Sequence, residues 1–183
     1  KEEEFQKTSA NNLTERLYKE VRDTFSRKTE TIAKQAFPVI KNVFEQRGEM
    51  FKNIVVPFTD GKRAYNVVAN LEKTYKSEGE ELIRAYEKSI MLAHIDDAWK
   101  EHLREMDDLK QSVQNATYEQ KDPLLIYKFE SFNLFKSMVD KINKNVVSTL
   151  MKGQIPFEAP EEVKQAEEKR TDLSKMRTGR SDA

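Results

Sequence analysis

Two long apolar stripes separated by a short polar connector constrain this chain more than any other feature. From Ser77 onward, Leu82, Tyr86, Ser89 or Ile90, Leu92, Ile95, Trp99, Leu103, Met106, Leu109 and Val113 recur at spacings of three or four. That is the period of one face of an amphipathic helix. At about 1.5 Å per residue, such a helix would be roughly 55 Å long. Residues 115–121 are polar, and Asp122-Pro123 then supplies a capping side chain followed by proline in the first helical turn. A second stripe runs through Leu125, Phe129, Phe132, Phe135, Val139, Ile142, Val146 and Leu150 and stops at Gly153. Two long helices joined so briefly bury their stripes against each other only as an antiparallel hairpin. Phe129, Phe132 and Phe135 share the helical spacing and are expected in that core.

Upstream, Leu13, Leu17, Val21, Phe25 and Ile32 lie on one face of a helix over residues 3–37. Pro38 is expected to interrupt it, with a shorter helix carrying Val39, Val43, Phe44, Met50 and Phe51 beyond. The pattern then alternates around Asp60-Gly61, flanked by Ile54-Val55-Val56-Pro57-Phe58 and Tyr65-Asn66-Val67-Val68. This predicts a β-hairpin near 54–68 whose two central turn residues take positive φ, with Pro57 confining its strand to an edge. After Phe157 apolar residues are too sparse to offset chain entropy, so 158–183 reads as a flexible charged tail. The fold class is mainly α: a long antiparallel two-helix hairpin over 77–157, with a helical segment and one small β-hairpin over 1–76.

Charge sets the limits on function. Lys and Arg number 32, as do Asp and Glu, so the net charge is zero. Binding driven by counterion release from nucleic acid, or by an anionic membrane, needs a surplus of positive charge that this chain lacks. The zero is a sum of unlike parts. Residues 1–76 hold 15 basic and 11 acidic side chains, 77–114 hold 5 and 10, 115–157 hold 6 and 4, and 158–183 hold 6 and 7. An acidic first helix facing a mildly basic second one favours their pairing. No apolar run approaches the roughly 20 residues of a membrane span, so a soluble chain is expected. It opens Lys-Glu-Glu-Glu without an initiator Met and reads as a piece of something larger.

Few residues offer chemistry. The absence of cysteine removes thiolate zinc sites, disulfides and cysteine nucleophiles. The five glycines do not match a phosphate-binding loop. His94, Asp97, Glu101 and His102 share a helix face, but the histidines stand two turns apart, about 12 Å along the axis, too far for one ion to bridge. No catalytic, cofactor-binding or metal-ligating residue is therefore assigned. Tyr118 stands apart. It occupies the polar connector at the hairpin tip, where an aromatic ring with a hydroxyl suits display to a partner.

The run from Met91 to Lys110, centred on Trp99-Lys100-Glu101-His102-Leu103, resembles the first helix of the two-helix finger in SecA, the ATP-driven motor of bacterial protein secretion. Tyr118-Glu119-Gln120-Lys121-Asp122-Pro123, then Tyr127-Lys128, Glu130-Ser131-Phe132 and Phe135, resemble its finger loop and second finger helix. The match spans residues 83–155, and residues 13–28 more weakly resemble the helical wing domain. The stretch carrying Asp60-Gly61 looks like an insertion. The nucleotide-binding folds, the preprotein cross-linking domain and the zinc tail of that family have no counterpart here. The resemblance implies a non-catalytic helical wing and helical scaffold. Its finger would enter the mouth of the SecY channel, and Tyr118 would touch the translocating preprotein, with Thr117, Glu119, Gln120, Lys121, Asp122 and Pro123 shaping the loop. It also implies contact with other SecA domains, ATP and Mg confined to the parent motor, a cytoplasmic location peripheral to the inner membrane, and room for a homodimer. The competing expectations are a free-standing helical adaptor and, less favoured, a helical metalloenzyme using His94, Glu101 and His102.

Overall fold

A computed structural model of the chain describes residues 9–114, 122–156 and 164–165. Helix α1 (Ala10–Arg47) is followed by β1 (Asn53–Thr59), β2 (Ala64–Asn70), a short α2 (Leu71–Lys76), and then the long α3 (Glu80–Gln114) and α4 (Pro123–Lys152). A two-residue strand β3 (Lys164–Gln165) closes the order. The expectation of a mainly α chain with one long antiparallel hairpin and a small β-hairpin is met. As α3 rises from Tyr86 to His102, its partners on α4 descend from Thr149 and Leu150 to Phe135. Asp122 caps α4, its carboxylate accepting from the amides of Leu124 at 2.9 Å and Leu125 at 3.4 Å, with Pro123 at the first turn.

Pro38 does not end α1. The helix runs unbroken for 38 residues with the proline inside it. The buried residues Ile32, Ala33, Ala36 and Ile40 keep one phase across the proline, so both halves face one core, while Lys34 and Pro38 are exposed. The carbonyl of Lys34 that loses its amide partner can therefore bond to water, and packing outweighs the roughly 3 kcal/mol penalty of an interior proline.

The hairpin forms in the expected place with two differences. Only Gly61 takes a positive φ, 85°. Asp60 instead turns its carboxylate to accept from the amides of Lys62 and Arg63, at 2.9 and 2.8 Å, which holds its pKa below the ordinary carboxylate value. Strand β1 is also not an edge. The order is β2-β1-β3, and Thr59 exchanges both backbone bonds with Gln154. Lys164 and Gln165 pair with Val55 and Ile54. Pro57 falls in the gap between those two pairings, where its missing N–H leaves no ladder bond unmade.

The core gathers where all these elements meet. Ile54, Val56 and Phe58 of β1 and Val67 and Ala69 of β2 point inward onto Leu82, Tyr86 and Ile90 of α3 and onto Ile32 and Ile40 of α1. The rings of Phe58 and Tyr86 stack at 4.3 Å. Gly79, at φ 99°, lets the start of α3 press on α1: a Cβ there would lie 3.1 Å from both the Cβ and the carbonyl oxygen of Ala33.

Candidate functional site: the clamped foot of the helix hairpin

The residues singled out at the hairpin tip divide between described and undescribed positions. Tyr118, Thr117, Glu119, Gln120 and Lys121 lie outside the described residues, whereas Asp122 and Pro123 are placed at the start of α4. What is fully defined is the other end of the lever, where α4 terminates.

A helix C-terminus leaves its last carbonyls without intrahelical partners and carries partial negative charge. Here those carbonyls are taken up by side chains from two other helices. Lys28 Nζ of α1 donates to Leu150 O at 2.9 Å and to Met151 O at 2.7 Å. Tyr86 Oη of α3 donates to Thr149 O at 3.1 Å, with Leu150 O at 3.4 Å. The amide of Gly153 returns to Thr149 O at 2.8 Å. Gly153 has extended backbone, φ −60° and ψ 137°, so its lack of a side chain serves close approach. A Cβ there would sit 1.8 Å from Tyr86 Oη.

Burial sets the electrostatics of this joint. Tyr86 is fully buried, and desolvation, with smaller contributions from Tyr65 and Asp60, pushes its phenol up to about 12. Loss of water around the Lys28 ammonium lowers its pKa. Two turns further along α3, His94 Nε2 lies 2.8 Å from Thr149 Oγ1 and its ring tilts against Tyr65. His94 is thus committed to the helix seam. His102 is buried too, between Trp99 and Phe135, and its Nδ1 has no hydrogen-bond partner among the described residues.

Beyond this foot the seam departs from the sequence reading. Ala98, His102 and Val113 are buried on α3, and Met138 and Val146 on α4. Phe129 and Phe132 are 63% and 66% exposed, and Phe135 is 48% exposed, so the expectation that this stripe forms the core is wrong. Leu92, Ile95, Trp99 and Leu103 on α3 are exposed as well. Both helices are apolar over an arc wider than one partner covers, and the smaller residues Ala98 and Thr149 occupy the seam while the larger rings are left outside.

Sequence reasoning did not find Lys28, Thr149 or the role of Gly153. Lys28 left a signal: it falls between Phe25 and Ile32 on the apolar stripe of α1, where a lone cation must find buried acceptors.

A long antiparallel hairpin clamped at its foot, with large apolar side chains exposed along its shaft, defines a class of helical scaffold. The sequence profile of the SecA wing and scaffold domain matches residues 1–154, and the chain belongs to that family. It is 54% identical over 165 residues, 90% of its length, to the protein translocase subunit SecA of Phocaeicola vulgatus, and 53% identical over 186 residues, 96% of its length, to that of Bacteroides thetaiotaomicron. It is also 54% identical over 153 residues, 84% of its length, to the Flavobacterium psychrophilum subunit. The chain spans 15%, 17% and 14% of the length of these relatives. No solved structure matches it. Among the described residues no helix is long and apolar enough to cross a membrane.

Proposed function

We propose that this chain is the non-catalytic wing and scaffold portion of a protein secretion motor. Its α3–α4 hairpin is a finger that enters the cytoplasmic mouth of the SecY channel and presents Tyr118 to the translocating preprotein. ATP and Mg act elsewhere in the motor, whose domains pack on the bare apolar faces of α3 and α4, and the assembly sits peripherally at the inner membrane through the channel.

The observation that supports this reading is the clamped foot. A helix of 35 residues extends about 52 Å at 1.5 Å per residue. With its base held by Lys28, Tyr86 and the β-hairpin, displacement at the foot reaches the tip instead of being lost in the joint. One ring at the tip suits a substrate of arbitrary sequence, because stacking or a hydrogen bond from a single Tyr contributes only about 1 kcal/mol, which is weak enough to release and grip again.

The test is Tyr118→Ala in the full-length translocase. Preprotein translocation is expected to slow while nucleotide binding stays intact. Undiminished translocation would overturn the role given to the tip.

A further inference from the structure

Beside the foot lies a cleft of about 360 Å³, walled by the β1–β2 turn, α3 and α4. Its carboxylates are already engaged. Asp60 accepts from the turn amides, Asp97 pairs with Arg63 at 3.2 Å, and Glu101 pairs with Arg104 at 2.9 Å. Its remaining cations are not. Lys62 enters from the turn and Lys141 and Lys152 from α4, and none of the three has an ion-pair partner among the described residues. With Arg63, the cations lining the cleft outnumber its carboxylates Asp60, Asp97 and Glu101 by four to three, a small positive excess that an anion can offset.

The second observation is independent of charge. Tyr65 lines the same cleft, and its hydroxyl is buried with no hydrogen-bond partner among the described residues. An unmade bond at a buried hydroxyl costs about 1–3 kcal/mol, so such a group calls for an acceptor that completes it. A water would serve the hydroxyl but do nothing about the cleft's excess of cations. Asn145 and Ser148, one helical turn apart on α4, add neutral donors on the same wall.

We propose that this cleft binds a phosphate-type oxyanion, with Lys62, Lys141 and Lys152 supplying charge and Tyr65 Oη donating from within. Charge-assisted bonds to oxyanion oxygens favour a multiply charged ligand over a single carboxylate. The anion is either free phosphate or a phosphomonoester on a larger molecule, and in both cases it cross-links the β-hairpin turn to α4.

The experiment is a titration of the 183-residue chain with inorganic phosphate and, separately, with glycerol 3-phosphate, at ionic strength held constant by chloride and followed by backbone amide NMR. Saturable shifts are expected at residues 61–63, Tyr65, Asn145 and Ser148, and acetate should produce none. A K141Q/K152Q variant, altered only at exposed positions, should bind about tenfold more weakly or worse. Tyr65→Phe should weaken binding less. Tighter binding of the ester identifies an esterified ligand, and binding of inorganic phosphate alone identifies the free ion. Shifts that chloride reproduces, or that persist undiminished in the double lysine variant, would overturn the proposal.

Discussion

The foot and the shaft of the α3–α4 hairpin are made from the same two helices, yet they are held by different physics. At the foot, α3 presents Leu82, Tyr86 and Ile90, all fully buried, to three other elements, and the last carbonyls of α4 are taken by side chains of α1 and α3. Along the shaft, α3 and α4 have only each other among the described residues, and Trp99, Leu103, Phe132 and Phe135 are exposed. Stability concentrates where several layers meet, whereas a two-helix stretch covers one stripe per helix and leaves the rest bare. The shaft thus leaves apolar surface exposed, and the foot is the more firmly held of the two.

Substitutions should separate the two regions by size of effect. Tyr86→Ala removes a stacked ring, a carbonyl cap and the filler against Gly153, and should lower unfolding free energy by about 3–5 kcal/mol in urea titration. A loss below that of a shaft substitution would abolish the distinction. Lys28→Met keeps the side-chain length but drops two charge-assisted bonds at the end of α4, and should cost about 1–2 kcal/mol by the same measurement. Phe132→Ser sits on the exposed face and should change stability by less than about 0.5 kcal/mol.

The foot should also show in alkaline titration. Folding raises the Tyr86 phenol from 10.0 to about 12, so its contribution is complete below pH 10 and is lost as pH rises from there toward 12. Measured as stability against pH, the wild-type chain should decline more steeply than Tyr86→Phe across that window. Parallel curves would mean that burial of this hydroxyl carries no energetic weight.

The same contrast accounts for what could be read from the sequence. Leu82, Tyr86, Ile90, the Asp122-Pro123 start and the hairpin around Gly61 were legible because each rests on local pattern or local turn chemistry. The assignment of Phe129, Phe132 and Phe135 to the core failed because periodicity identifies an apolar face without saying what covers it. His94, Ala98, His102 and Thr149 fill the seam instead, and small or polar residues give no periodic signal. Pro38 misled for a related reason: a local rule yielded to the common core reached by Ile32, Ala36 and Ile40. The role assigned to Tyr118 came from resemblance and from its place in the connector, and it falls outside the described residues. The joint at Lys28 and Gly153 links positions more than 120 residues apart, and no window along the chain contains both.

The capped end of α4 bears on how the molecule comes apart. Ordinary helix termini fray one residue at a time, but here Lys28 of α1 and Tyr86 of α3 hold the carbonyls of Thr149, Leu150 and Met151, so fraying of this turn also costs bonds to two other helices. Amide protons near Gly153 should therefore exchange more slowly than those of an uncapped helix end, which hydrogen exchange would measure. The last turn of this helix behaves as a keystone and not as a loose end.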